Sequence, residues 1–142
     1  MSTWMQTEAE RAFDKASRAR RRARMICRLR RRGCGCGFQL PVAGSTARAR
    51  AAARGVREIP LSQITGTLEP NRAEHFDPAF RPASKARERW QRVWMAEERG
   101  TVLPPIAVVP AGDGYAVRDG HHRVSVALAR GAVTIDAVVS GG

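Results

Sequence analysis

The five residues from Asp119 to Arg123 combine side chains that can hold an anion or transfer a proton. They read Asp-Gly-His-His-Arg and stand where an apolar segment gives way to one that favours a helix. The free N–H groups at a helix start, with the positive end of the helix dipole, favour a negative charge by about 0.3–1 kcal/mol. This position predicts a ligand that bears phosphate.

Each residue of this motif has a role in the prediction. Arg123 is the strongest candidate because its guanidinium is a permanently charged fork that fits phosphate oxygens. Gly120 lets the backbone approach a ligand closely, and Asp119 is expected to cap the helix. His121 and His122 supply donors, or one of them transfers a proton. Since neighbouring residues point about 100° apart on a helix, we expect one histidine to face the ligand.

The elements around the motif predict an α+β domain with a small mixed sheet. From residue 56 the order is strand, loop, helix, strand, strand, helix and strand. Residues 65–82 hold three prolines and a glycine, so they are mostly irregular. The helix of residues 83–100 buries Trp90, Val93 and Trp94, and the Ala-Gly-Asp-Gly segment forms a hairpin turn of the Asp-Gly type.

The basic charge of the chain is confined to its front. Residues 1–57 hold 15 Lys+Arg against 3 Asp+Glu, a net of +12, and the remaining residues hold 10 of each. We therefore divide the chain into an Arg/Ala-rich, basic helical extension (residues 1–57) and a folded domain (residues 58–142). In the helix predicted over residues 8–32, the spacing from Ala12 through Ala16, Ala19 and Ala23 to Ile26 predicts a weakly apolar stripe.

Dense arginine with alanine between is what a non-specific contact with DNA needs, because each neutralised phosphate releases counterions. No motif for reading bases accompanies it, so any binding should depend weakly on sequence. An acidic protein, an intramolecular partner or no partner remain alternatives. The arginines expected to contact nucleic acid are Arg18, Arg20, Arg21, Arg22, Arg24, Arg28, Arg30, Arg31 and Arg32.

Other classes of function are disfavoured. No apolar run approaches the roughly 18–20 residues that a bilayer needs, and no secretory segment opens the chain. We expect no membrane contact and a cytoplasmic protein, associated with the nucleoid if the extension binds DNA. The three cysteines, Cys27, Cys34 and Cys36, are an odd number, which argues against a disulfide framework. They are too few for a closed zinc site, so no metal is expected. The oligomeric state does not follow from the sequence.

The stretch LPPIAVVPAGDGYAVRDGHHRVSVALARGAVTIDAVV, which starts at Leu103, contains a Pro-Ile strand, a hairpin, an Asp-Gly-x-x-Arg helix start and a closing strand. In this order it resembles the ParB/sulfiredoxin-like superfamily, and most of all the short proteins that contain a ParB N-terminal domain. The stretch REIPLSQI, from Arg57, resembles the opening strand of that domain. The resemblance covers residues 56–140 and implies a ParB/sulfiredoxin-like domain.

The resemblance also implies ligand contacts. In ParB partition proteins the loop reads Gly-Glu-Arg-Arg and holds the phosphates of CTP; Gly120 and Arg123 match it, whereas His121 and His122 differ. In sulfiredoxin the loop reads Gly-Cys-His-Arg, and because His121 replaces the reactive cysteine we do not expect sulfiredoxin chemistry. The family carries further ligand contacts in the region of residues 69–81. That region is here a long irregular loop, of a kind that is often functional. Its second-rank candidates for phosphate or base contact are Arg72, His75 and Arg81.

These observations together predict a nucleotide-binding module that uses CTP or ATP, with Mg²⁺, and associates with DNA through its basic extension. The chain is expected to lack the helix-turn-helix and dimerisation domains of partition proteins. We expect at most weak hydrolysis of nucleoside triphosphates. The alternatives are a small ATP-dependent phosphotransferase of the same fold and a non-catalytic domain for protein interaction.

Overall fold

A mixed five-stranded sheet organises the chain in the computed structural model, which describes residues 3–30, 38–43 and 55–140. The order in the sheet is β1-β5-β3-β4-β2. The strands are β1 (Val56–Pro60), β2 (Ile64–Thr67), β3 (Ile106–Ala111), β4 (Gly114–Asp119) and β5 (Thr134–Val139). β1 is antiparallel to β5, and β3 is antiparallel to β4. β5 and β3 form a parallel pair, and so do β4 and β2. The helices are α1 (Thr3–Leu29), α2 (Pro70–Ala73), α3 (Arg87–Glu98) and α4 (His121–Ala129). The α+β class with a mixed sheet is confirmed.

The strand β2 is absent from the sequence prediction. It spans four residues, one of them a glycine, so it carries almost no alternating pattern. Gly66 is required because a Cβ there would lie 2.5 Å from the carbonyl oxygen of Pro41. The strand forms because it pairs with β4 on one side and with Val42 on the other, through Thr67.

The hairpin of β3 and β4 leads the chain into α4. Ala111 pairs with Gly114, so Gly112 and Asp113 form a two-residue turn. Gly112 has a φ of 57°, which a glycine adopts without strain. The sequence correctly predicts the hairpin but places its centre one residue too late. Gly114 belongs to the strand, where a Cβ would lie 2.3 Å from the carbonyl oxygen of Gln63.

The first helix packs on the domain. Phe13 is fully buried and meets Trp90 of α3 edge to face, with ring centroids 5.5 Å apart. The guanidinium of Arg87 lies 4.4 Å above the Phe13 ring and pairs with Asp14 at 3.3 Å. Leu40 joins the same core. The division at residue 58 therefore follows composition, whereas the core includes residues on both sides of it.

The stripe predicted for this helix is displaced. The buried positions are Ala9, Phe13 and Ser17, while Ile26, at the end of the predicted stripe, is 50% exposed. Phe13 does not follow the spacing of the alanines, so the predicted stripe omits it. Burying its aromatic ring contributes more free energy than burying several alanine methyl groups. Ala12 and Ala16 still border the core.

The structure bears on two further sequence predictions, one about membrane-spanning helices and one about disulfide bonds. No helix of the described residues is both long and apolar enough to cross a membrane. Cys27 is disulfide-bonded, which contradicts the expectation from the odd cysteine count. Cys34, Cys36, Arg31 and Arg32 lie outside the described residues.

Candidate anion-binding site

A cleft of about 640 Å³ opens at the start of α4. It is bordered by the segment after β2, by α3, by the end of β4 and by the first turn of α4. Four arginines line it, and so do all three histidines of the chain. The arginines are Arg72, Arg89, Arg118 and Arg123, each from a different helix or strand.

The first turn of α4 has no side-chain cap. Gly120 is the N-cap, with a φ of 108°, and a Cβ at this position would lie 2.5 Å from Cγ2 of Ile106. A glycine is therefore required. The expectation that Asp119 caps the helix is wrong, because no side chain bonds to the first turn. The N–H groups of that turn thus lack a side-chain acceptor at the edge of the cleft.

The side chain of Arg123 forms its hydrogen bonds and its ion pair with other groups of the protein. Its guanidinium donates to the carbonyl oxygens of Pro104 and Pro105 and pairs with Asp119 at 3.1 Å. The side chain is only 15% exposed. Asp119 is thus drawn to Arg123 instead of the helix start. The pair fixes the segment before β3 against α4, which leaves little of the guanidinium for a ligand.

The other three arginines are unpaired. Within the described part of the chain, the side chains of Arg72, Arg89 and Arg118 form no hydrogen bond and no ion pair. Like charges repel, so three cations gathered without partners cost free energy that a bound anion would recover. These guanidiniums are therefore the groups available to an anion.

His121 and His122 are both buried, at 4% and 6% exposure, and both line the cleft. Both rings border the cleft because it extends around the helix start from α2 to α3; that one histidine faces the ligand stays a prediction. Nε2 of His121 lies 2.5 Å from Oγ1 of Thr67. The Thr67 hydroxyl oxygen accepts the N–H of Glu69 at 2.9 Å. The Phe76 ring stacks on His121 and meets His122 edge to face.

His121 and His122 are neutral at pH 7. Burial, followed by the charge of Arg72, lowers the pKa of His121 from 6.5 to about 4. Burial, followed by the charge of Arg89, lowers the pKa of His122 to about 3. The pKa of His75 is lowered as well, first by burial and then by Arg72. A neutral imidazole can donate one hydrogen bond to an anion or accept one proton.

The structure brings together seven of the eight predicted ligand residues. Asp119, Gly120, His121, His122, Arg123, Arg72 and His75 line the cleft. Arg81 does not: it pairs with the buried Asp77 at 3.2 Å and borders a second, apolar cavity. The Asp77 carboxylate also accepts the N–H groups of Ala79 and Arg81, which fixes the turn that precedes α3.

Arg89 and Arg118 were missed by the sequence prediction. Arg89 stands among the charges of α3 and resembles a solvent-facing residue, and Arg118 ends an apolar strand. A lone arginine just before Asp119 was the available signal, because a charge at the end of a strand that leads into a helix start is well placed for a ligand.

The described arginines among those predicted to bind DNA do not line the cleft: six of them lie on α1 and Arg30 directly follows it. Arg18, Arg21, Arg22, Arg24, Arg28 and Arg30 are exposed, whereas Arg20 is half-buried. Of these, Arg21 also donates to the Ser17 hydroxyl at 3.2 Å. No group of three or more His, Cys, Asp or Glu in the described residues could hold a metal ion.

Comparison with known proteins gives a likeness among the solved structures. No protein-family model matches the chain, and no curated protein matches it. Among solved structures, the chain is similar to sulfiredoxin from Arabidopsis thaliana. The sequence identity is 20% and the TM-score 0.43, over 63% of this chain and 88% of that chain. A likeness at this TM-score and identity says nothing about the ligand or activity of this chain.

Proposed function

We propose that the chain is a nucleotide-binding module that holds the phosphates of a nucleoside triphosphate in the cleft at the start of α4. One observation carries the proposal: within the described part of the chain, three unpaired arginines from α2, α3 and β4 line the cleft at a helix start that has no side-chain cap. Free backbone N–H groups and guanidinium forks are the two kinds of donor that phosphate oxygens accept most favourably.

The residues of the cleft divide into those that contact the ligand and those that shape the site. Arg72, Arg89 and Arg118 contact the phosphates, and His121 and His122 donate from their neutral rings. Gly120 and Arg123 shape the site, because the glycine keeps the backbone accessible and Arg123 fixes the helix start. Any Mg²⁺ arrives with the phosphates, since the described residues supply no cluster to hold it.

The test is titration calorimetry with ATP and CTP, each with and without Mg²⁺, on the wild type and on Arg118→Gln. A hydrogen bond to a charged group contributes about 1.5–3 kcal/mol, so the substitution should weaken binding roughly tenfold or more. The same weakening is expected in Arg89→Gln, for which Arg92→Gln is the matched control. Arg92 lies on the same helix, is paired with Glu88 at 3.2 Å and does not line the cleft. Absence of binding in the wild type would overturn the proposal and favour a protein-interaction domain.

The same chain would associate with DNA through α1. What supports this is the group of exposed arginines on a helix that Phe13 and Asp14 hold against α3. Arg18 and Arg22 stand one turn apart and share a face. Truncation of residues 1–57 cannot test the idea, because it would remove Phe13 and Leu40 from the core.

Substitution gives a clean test of the DNA contact. In Arg18→Gln/Arg22→Gln, the slope of non-specific DNA affinity against salt should fall by about 0.9 for each DNA phosphate that α1 no longer neutralises. Arg92→Gln/Arg99→Gln removes the same charge from α3 and the residue that follows it, and should leave the slope nearly unchanged. An equal fall in both double variants would mean that net charge alone, and not α1, attracts the DNA.

A small phosphotransferase is the second candidate, and Glu69 is the observation that favours it. Glu69 lines the cleft, and its carboxylate has no partner among the described residues, whereas the other carboxylate, Asp119, is paired. An unpaired carboxylate beside a bound phosphate could accept the proton of a substrate hydroxyl. Mg²⁺-dependent release of ADP in the presence of a hydroxyl-bearing metabolite, abolished in Glu69→Gln, would select this reading.

A further inference from the structure

The lining of the cleft is almost wholly polar. Within the described chain, Val93 is its one aliphatic residue, and no Phe, Tyr or Trp lines it. The aromatic ring nearest the histidines, Phe76, is fully buried beneath them. Trp94 lies instead beside the second cavity, where Arg130 covers its ring at 4.7 Å. A planar base would therefore find little apolar surface on which to stack beyond Val93 and the histidine rings.

The cleft also offers little with which to read the edge of a base. Selection of a base needs several fixed hydrogen-bonding groups, because rejection of the wrong base depends on leaving buried groups unpaired. The described lining contains one side-chain amide, Asn71, and it is exposed. An exposed amide can reorient and bond to water, so it discriminates weakly between bases.

The charges, in contrast, are numerous and spread out. Arg72, Arg89 and Arg118 come from three elements and have no partner among the described residues. One phosphate group accepts two forks with ease, whereas three forks from separate elements suit a chain of linked phosphates that presents oxygens along its length. The volume of about 640 Å³ is within the usual range for ligand clefts of about 300–1,000 Å³.

We propose that the cleft recognises chains of linked phosphates and not the base attached to them, so that inorganic tripolyphosphate and the four common nucleoside triphosphates are equivalent ligands. The proposal rests on the proposed function, because it takes the same cleft as the phosphate site. It goes further in assigning specificity to the number of linked phosphates.

The experiment measures the affinities of orthophosphate, pyrophosphate, tripolyphosphate, ATP, CTP, GTP and UTP for the full chain by calorimetry at one salt concentration. We expect affinity to rise at least roughly tenfold from orthophosphate to tripolyphosphate, since more charge-assisted hydrogen bonds form. The four nucleotides should bind within about threefold of tripolyphosphate, which is less than one hydrogen bond's difference.

Two variants and the comparison of ligands separate base-independent recognition of linked phosphates from nucleotide binding itself. Arg118→Gln should weaken tripolyphosphate and ATP by the same factor, and Asn71→Ala should leave the ratios between the four nucleotides unchanged. A nucleotide that binds more than tenfold tighter than tripolyphosphate would overturn base-independent recognition while the nucleotide proposal stands. Orthophosphate binding as tightly as tripolyphosphate would overturn recognition of linked phosphates. If none of the compounds binds, both proposals fail.

Discussion

The buried histidines should make the fold sensitive to mild acid. A group whose pKa is lower in the folded state than in the unfolded chain takes up protons on unfolding, so stability present above the unfolded pKa is lost as the pH falls. The unfolded pKa is 6.5, and the folded values are about 4 for His121 and about 3 for His122. The loss therefore begins below about pH 6.5 and continues toward the folded pKa values.

The size of the effect follows from these values. At pH 5 both histidines remain neutral in the folded protein and are almost fully charged in the unfolded chain. Each contributes a loss of about 2 kcal/mol between pH 7.5 and pH 5, or about 4 kcal/mol for the pair. That amount is a large part of the roughly 5–15 kcal/mol that stabilises a typical domain.

The assay is urea unfolding of the wild type and of His121→Gln/His122→Gln at the two pH values. Glutamine is uncharged and retains a nitrogen near the position of Nε2 that faces Thr67. The double variant should lose about 4 kcal/mol less than the wild type over this interval, whatever its stability at pH 7.5. His75, with its lowered pKa, is present in both proteins and cancels. Equal losses would refute the claim that these two rings are held neutral by burial and by Arg72 and Arg89.

Three further outcomes are expected. Gly120→Ala should lower the free energy of unfolding by about 1 kcal/mol or more, because a Cβ meets Ile106 at a φ of 108°; urea unfolding measures it. Phe13→Ala should cost about 3–5 kcal/mol in the same assay, whereas Trp4→Ala, at a position 58% exposed, should cost little. Arg123→Gln should destabilise the chain because it leaves the Pro104 and Pro105 carbonyls without their donor, while Arg118→Gln should not; equal destabilisation in thermal unfolding at low salt would contradict the distinction.

The fold was predictable where its information is local. The hairpin, the two longer helices of the domain and the closing strand each carry a hydrophobic period or a turn signal within about ten residues. β2 carries neither, and it exists because Thr67 pairs with Val117 on one side and Val42 on the other. A four-residue strand of this kind is specified by its neighbours, and no pattern of its own reveals it.

The candidate site was predictable to the same extent. The motif at the start of α4 identifies the location, since glycine, histidine and arginine at a helix start carry a local physical meaning. Arg72 and Arg81 have similar sequence surroundings. In the structure Arg81 pairs with Asp77, whereas Arg72 lines the cleft. Arg89 gives no local signal because its function depends on residues about thirty positions away along the chain.

The four arginines of the cleft differ in whether they have partners within the described chain. Arg123 contributes to stability, since carbonyl oxygens and Asp119 satisfy it. Arg72, Arg89 and Arg118 share the cleft and have no partner among the described residues, so no ion pair there offsets their mutual repulsion. Two of them, Arg72 and Arg89, also help to keep His121 and His122 neutral. Groups that cost stability and are held in place by a rigid frame are expected at binding sites. A bound polyanion would neutralise these arginines and raise the pKa of both histidines, so binding should tighten as the pH falls and should stabilise the chain most where the apo fold is weakest.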